Sequence, residues 1–233
     1  MAKYTYLLLN LLTLAIPLIR SFEPRIAFYK KWSAWLPAIT ITSIFFILWD
    51  VLFTHWHVWG FNEQYLIGIY FLGLPLEELL FFFAIPYACI FLYETLNLFF
   101  PRDLLAQYQQ SITLLLISAL AIIGLANLNK FYTVAAFLIT ATFLAFQLFY
   151  LKTRHLSRFY RTYLVVLLPF FMVNGTLTGT FLAQPVVWYN DYENLGIRLL
   201  TIPIEDVFYG LLLMLMNLSL YELFKQSLPK RLP

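Results

Sequence analysis

Four carboxylates in two adjacent pairs, Glu77-Glu78 and Glu205-Asp206, are the residues of this chain best suited to chemistry. Each pair begins two positions after a proline, in Pro75-Leu76-Glu77-Glu78 and Pro203-Ile204-Glu205-Asp206, and each stands at the head of a long apolar run. The second copy comes 128 positions after the first. Two carboxyls held close in an apolar pocket do not both ionise easily, so one keeps its proton at neutral pH. Such an acid beside a dry, aromatic-lined cavity can protonate an apolar substrate. Neighbouring Phe and Tyr faces can stabilise a developing cation through their quadrupoles. Protonation of a carbon–carbon double bond followed by carbocation rearrangement suits that setting. A proton-coupled carrier of an apolar small molecule would use the same residues, and both readings stand at this point.

The elements that position the pairs are themselves duplicated. An ungapped shift of 128 superposes Asn62 on Asn190, Gly68-Ile69 on Gly196-Ile197, Leu72 on Leu200, and Leu92-Tyr93-Glu94 on Leu220-Tyr221-Glu222. Phe28-Tyr29-Lys30 matches Phe159-Tyr160-Arg161 at an offset of 131, so the intervening loops differ in length. Taken once, Pro-x-Glu-Glu is a plain helix start. Proline at the first helical position loses no hydrogen bond, and an acid in the first turn favours the positive end of the helix dipole. Two copies, each entering hydrocarbon-rich sequence where ionisable groups usually face an interior cavity, read instead as two sides of one site.

With 62% hydrophobic, 20% aromatic and 12% charged residues, the chain is too apolar for an ordinary soluble domain. Seven runs are long enough to span a bilayer: Tyr4–Ile19, Leu36–Phe53, Pro75–Phe99, Ile112–Leu128, Phe131–Leu151, Thr162–Leu182 and Leu199–Phe224. The first lacks a small-residue cleavage site and is followed by Arg20, so it reads as a span rather than a signal peptide. Trp56–Leu74, broken by Gly60, Gly68 and Gly73, reads as interfacial or re-entrant. The expected fold is all-α: one membrane domain over residues 1–233, with three-helix repeats at about 1–100 and 129–233 joined by a linker helix. Of fifteen Lys and Arg residues, twelve fall in the loops after spans one, three and five and at the C-terminus, among them Lys230 and Arg231. Lys3, Lys130 and Arg198 fall on the other side. That bias puts the N-terminus outside and the C-terminus in the cytoplasm. The repeats are then parallel, related by an axis near the membrane normal, and both acidic pairs start helices at the outer face.

Asp50, near the outer end of the second span, is a candidate third carboxyl, with snorkelling to the interface as the plain alternative. Asn174, in the polar stretch Asn174–Thr180, is a candidate neighbour of the site, although packing between helices is the commoner use of such residues. His55 and His57 lack further ligands, so no metal site is expected. His155 lies in a basic loop with Lys152, Arg154 and Arg158, suited to anionic lipid heads. Glu94 and Glu222 lie 17 residues beyond Glu77 and Glu205, about 25 Å along each helix, and are expected to be structural. The single Cys89 cannot form an internal disulfide. No basic cluster interleaved with aromatics suggests nucleic acid, and a homo-oligomer is compatible with the pattern.

The paired motifs, the Tyr-Leu-Leu-x-Asn opening at Tyr6–Asn10, Asp50, and the turn Trp59-Gly60-Phe61-Asn62 resemble the membrane-integral lycopene cyclases. The likeness is to the type built from two homologous small subunits, here fused in one chain as in some bacteria and archaea. It implies residence in a bacterial or archaeal cell membrane and lycopene as the substrate. It also implies β-cyclase activity, an isomerase (intramolecular lyase) reaction closing linear ends into β-ionone rings to give γ-carotene and then β-carotene. No net redox change and no cofactor are implied. Carried over by motif, Glu77 and Glu205 are the acid and base, Glu78 and Asp206 tune their protonation, and Pro75 and Pro203 set the helix starts. A different carotenoid end-group enzyme, an ε-cyclase or a hydratase, would pass through the same cation. No Gly-x-Gly-x-x-Gly turn recommends a flavoprotein cyclase, and no Asp-Asp-x-x-Asp pair recommends a prenyltransferase.

Overall fold

In the computed structural model, which describes residues 2–227, seven helices are long and apolar enough to cross a membrane. They are α1 (Thr5–Arg20), α2 (Trp32–His55), α3 (Leu76–Phe99), α4 (Gln109–Ala126), α5 (Phe131–Ala145, extended by a π-helical turn at Phe146–Tyr150), α6 (Leu156–Leu177) and α7 (Ile204–Ser227). Lys230 and Arg231, used above for orientation, lie outside the described residues.

Several helix ends differ from the hydropathy reading. α2 starts at Trp32, because a proline within its first turns (Pro37) removes one backbone donor without ending the helix. The sixth span was expected to reach Leu182. It stops at Leu177, where Thr178 folds back onto the Asn174 carbonyl and Gly179 takes a φ of +102°. The seventh begins at Ile204 rather than Leu199 because residues 198–203 form a hairpin. Pro75 was expected to be the first helical residue. With φ −66° and ψ 148° it is extended and precedes the helix, leaving Leu76 first.

Trp56–Leu74 is neither a helix nor a free loop. It carries β1 (Trp59–Phe61), β2 (Tyr70–Phe71) and β3 (Leu74–Pro75). The second half repeats this cap as β4 (Val187–Tyr189), β5 (Arg198–Leu199) and β6 (Ile202–Pro203). β2–β3 and β5–β6 are antiparallel hairpins leading directly into α3 and α7. β1 pairs antiparallel with β4, Trp59 opposite Tyr189, Gly60 opposite Trp188 and Phe61 opposite Val187. The pairing continues reciprocally: Asn62 N–H donates to the Val186 carbonyl at 2.8 Å and Asn190 N–H to the Val58 carbonyl at 2.9 Å. These two bonds are related by the 128-residue shift. Each half therefore meets its own copy, and a local two-fold axis passes through the Gly60–Trp188 pair. Glycine is required there because a Cβ on Gly60 would lie 2.3 Å from the Trp188 ring.

Packing between the halves interlocks them. α1 packs on α3 and α5 on α7, while α2 lies mainly against α7 and α6 against α3. α4 joins the repeats and packs on α5. At the end opposite the cap, buried Glu94 of α3 pairs with Lys31 and with Lys225 (2.6 Å) and accepts from Tyr221 Oη at 2.7 Å, tying α3 to α7. The proline at position 86 leaves the Phe82 carbonyl without its helical donor, and Ser43 Oγ of α2 supplies one at 3.0 Å.

Candidate active site

The two hairpins deliver the acidic pairs in equivalent ways. Gly68 and Gly196, at φ +87° and +71°, turn the chain just after Ile67 and Leu195. The amides of those two residues point back to the helix heads. Ile67 N–H donates to Glu77 Oε1 at 2.7 Å, and Leu195 N–H donates to Glu205 Oε1 at 2.8 Å. Glu205 Oε1 also accepts from Thr133 Oγ1 at 2.6 Å, and Asn10 Nδ2 donates to the Glu77 carbonyl at 2.7 Å. Both glutamates are fully buried, and each has an Oε2 with no partner.

The second carboxylate of each pair has a different surrounding. Glu78 and Asp206 both line a cavity of about 600 Å³, whereas Glu77 and Glu205 do not. The expectation that Glu77 and Glu205 face the substrate space, with their neighbours tuning them, does not match this geometry. Consecutive helical residues point about 100° apart, and helix rotation has turned the first of each pair onto its own hairpin. Tyr6 Oη donates to Glu78 Oε2 at 2.5 Å. Its counterpart Tyr132 donates to Asp206 Oδ1 at 2.5 Å. Asp206 has two further donors, Asn174 Nδ2 at 2.8 Å and Tyr189 Oη at 2.9 Å. Burial and the neighbouring Asp206 charge push the Tyr189 hydroxyl well above its ordinary pKa, so it remains a neutral donor.

Asp50 also lines this cavity and is 2% exposed, so it does not snorkel. Its Oδ1 accepts from Trp59 Nε1 at 2.5 Å, and its Oδ2 has no partner. Apart from Thr13 and Asn174 the remaining walls are apolar or aromatic, and no Lys, Arg or His is among the lining residues. An aromatic cluster surrounds the carboxylates. The Trp59 ring lies 5.1 Å from Tyr132 and 6.1 Å from both Tyr189 and Tyr209, centroid to centroid. The cavity runs between α1, α3, α6 and α7. It opens sideways at the level of Leu12 and Ile16 of α1 and Met172 of α6, which line it while being 68–70% exposed.

Asn174, proposed from sequence as a neighbour, is thus a direct partner of Asp206. Tyr6 was picked out only as part of the opening motif, with no role, and Tyr132, Tyr189 and Tyr209 were given none. The available signal was the pair Tyr6 and Tyr132, each 72 to 74 residues before the acid it meets. His155, placed above among lipid-facing basic residues, is partly buried. Its pKa is pushed down to about 4, by burial first and then by Lys225.

Fold and site together define a polytopic membrane protein whose duplicated halves place carboxylates around one apolar cavity. The family model described as lycopene cyclase matches residues 3–96 and 129–224, one segment in each half, and the chain belongs to that family. It is accordingly a membrane enzyme, a carotenoid cyclase. No curated protein and no solved structure matches the chain.

Proposed function

We propose that the protein is a lycopene β-cyclase that closes the linear ends of lycopene to β-ionone rings by acid-catalysed, non-redox isomerisation. The observation that carries this reading is one largely apolar, aromatic-lined cavity faced by an acid from each half, with exposed apolar residues of α1 and α6 at its rim. Glu78 is the proton donor. Its one protein partner is Tyr6, and its other carboxyl oxygen is left to the cavity. Asp206 is the acceptor. Three donors hold it in place, and its negative charge lies beside the developing cation before it takes the released proton. The faces of Trp59, Tyr132 and Tyr209 stabilise the cation during ring closure. Glu77 and Glu205 keep the hairpins seated on the helix heads. The N-terminus and cap lie on the outer face of a bacterial or archaeal membrane, with the C-terminus in the cytoplasm.

Expressed in bacteria that accumulate lycopene, the protein turns the red pigment yellow-orange, and chromatography identifies γ-carotene followed by β-carotene. Unchanged lycopene in cells that contain the folded protein would overturn the assignment. ε-Ring or hydrated products would reassign the end-group chemistry.

A further inference from the structure

Resting on the function proposed above, the donor and acceptor roles leave an imbalance after every ring. The Glu78 O–H bond breaks as a C–H bond forms on the substrate. The pair of the protonated double bond makes that C–H bond and leaves a carbocation. The pair of a second double bond closes the ring and passes the charge on. A neighbouring C–H bond then breaks, and its pair becomes the new double bond. Its proton goes to Asp206. The product is neutral, but the enzyme ends with Glu78 ionised and Asp206 protonated. A second turnover requires a proton to travel from Asp206 back to Glu78.

Water has poor access for that task. Glu78, Asp206 and Asp50 are 8%, 4% and 2% exposed, and the opening of the cavity leads to lipid-facing residues. We propose that Asp50 is the relay, taking the proton from Asp206 and passing it to Glu78. It is a third carboxyl on the same cavity, in neither acidic motif and with no carboxylate counterpart in α6. Its Oδ2 is buried without any partner and is free to gain and lose a proton, while Oδ1 is fixed by Trp59. Trp59 in turn packs on Tyr132 and Tyr189, the two hydroxyl donors to Asp206, so a single indole ring separates the Asp50 contact from the donors of the acceptor. The titratable groups lining the cavity with it are Glu78 and Cys89 on α3, Asp206 and Tyr209 on α7, Tyr6 on α1, Tyr132 on α5, Tyr163 on α6 and Tyr189 on β4. Of these, only the acids can exchange protons near neutral pH. A merely structural Asp50 would hold Trp59 and do nothing else.

Two measurements on the full-length protein in liposomes containing lycopene distinguish these roles. In the first, native protein is equilibrated in deuterium oxide and given an excess of substrate. The relay returns the protium taken from each substrate to the next one. The first ring therefore carries one deuterium, and rings formed in the following turnovers carry less than one on average. Full labelling of every ring would show supply from bulk solvent and overturn the relay. In the second, Asp50→Asn forms its first ring within about twofold of the native rate and then slows by about a hundredfold, the scale of one proton-transfer step. Asp50→Glu restores continued turnover. A first ring slowed as much as later ones, or no slowing at all, would overturn the proposal. Native protein that forms no ring would instead remove the proposed function itself.

Discussion

The two halves deliver their acids with the same local architecture but treat them differently. In each, a glycine turn offers an amide to the first carboxylate, and a tyrosine from the opening helix of the repeat reaches the second. Around Glu78 the partners stop there. Around Asp206, Asn174 and Tyr189 complete a set of three donors. The packing faces diverge as well. Between α2 and α7, Phe46 and Trp49 close onto Tyr209 at ring distances of 5.0 and 5.3 Å. The corresponding face between α6 and α3 borders the open cavity. Duplication thus supplied two equivalent carboxylate mounts, and side-chain differences filled one groove as core and left the other as an open cavity. The lesson is that a near-symmetric backbone can hold its acids in unequal polar surroundings.

The sharpest test of that division replaces one acid at a time. Glu78→Gln and Asp206→Asn are each expected to lower cyclisation by about 10² to 10⁴-fold, measured as product per folded protein. If either variant keeps its rate, the chemistry belongs to one half and the comparison breaks. Glu77→Gln and Glu205→Gln are expected to act on stability, lowering the melting temperature in detergent while leaving the cavity acids in place. Gln keeps the accepting oxygen but puts an NH2 donor where the buried Oε2 has no partner, and a buried unsatisfied donor costs about 1–3 kcal/mol. The Glu205 change is expected to cost more, because two donors converge on its Oε1 against one at Glu77. Equal turnover loss from all four variants would erase the distinction between seating and reacting carboxylates.

Smaller effects probe the join between the halves. Gly60→Ala forces the Trp188 ring off the strand pair. Overpacking of this kind costs about 1–3 kcal/mol, and the lower part of that range is expected because Trp188 is 38% exposed. The smallest effect concerns the opposite end. His155, with its pKa depressed from 6.5 to about 4, is held neutral in the fold. Its contribution is fully present above 6.5 and is lost as pH falls from there towards 4. Thermal melts across that window should show a decline that His155→Asn flattens.

The sequence made the repeat, the seven spans and the two acidic pairs readable, because hydropathy and a constant 128-residue shift survive in one dimension. Which member of each acidic pair meets the cavity was not readable. That depends on the rotation of α3 and α7, which pack on helices of both halves, α3 on α1 and α6 and α7 on α5 and α2. Asp50 looked equally suited to an interface because its fate rests on Trp59, whose strand position comes from pairing with a segment 128 residues away. Of the tyrosines around the acids, Tyr6 was visible only as a motif residue, and Tyr132, Tyr189 and Tyr209 were hidden for a similar reason, among sixteen tyrosines in an aromatic-rich chain.

The β1–β4 ladder has an implication for how such a chain originates. Because each strand is hydrogen-bonded to its own homologue in reciprocal register, the seam is self-complementary, the geometry of an isologous dimer. Two unlinked polypeptides carrying the same edge would meet through it in this same orientation. The helix that now bridges them need only confine the partners to one molecule. Fusion then fixes stoichiometry at one copy of each, which lets the sequences drift apart without the risk of pairing like with like.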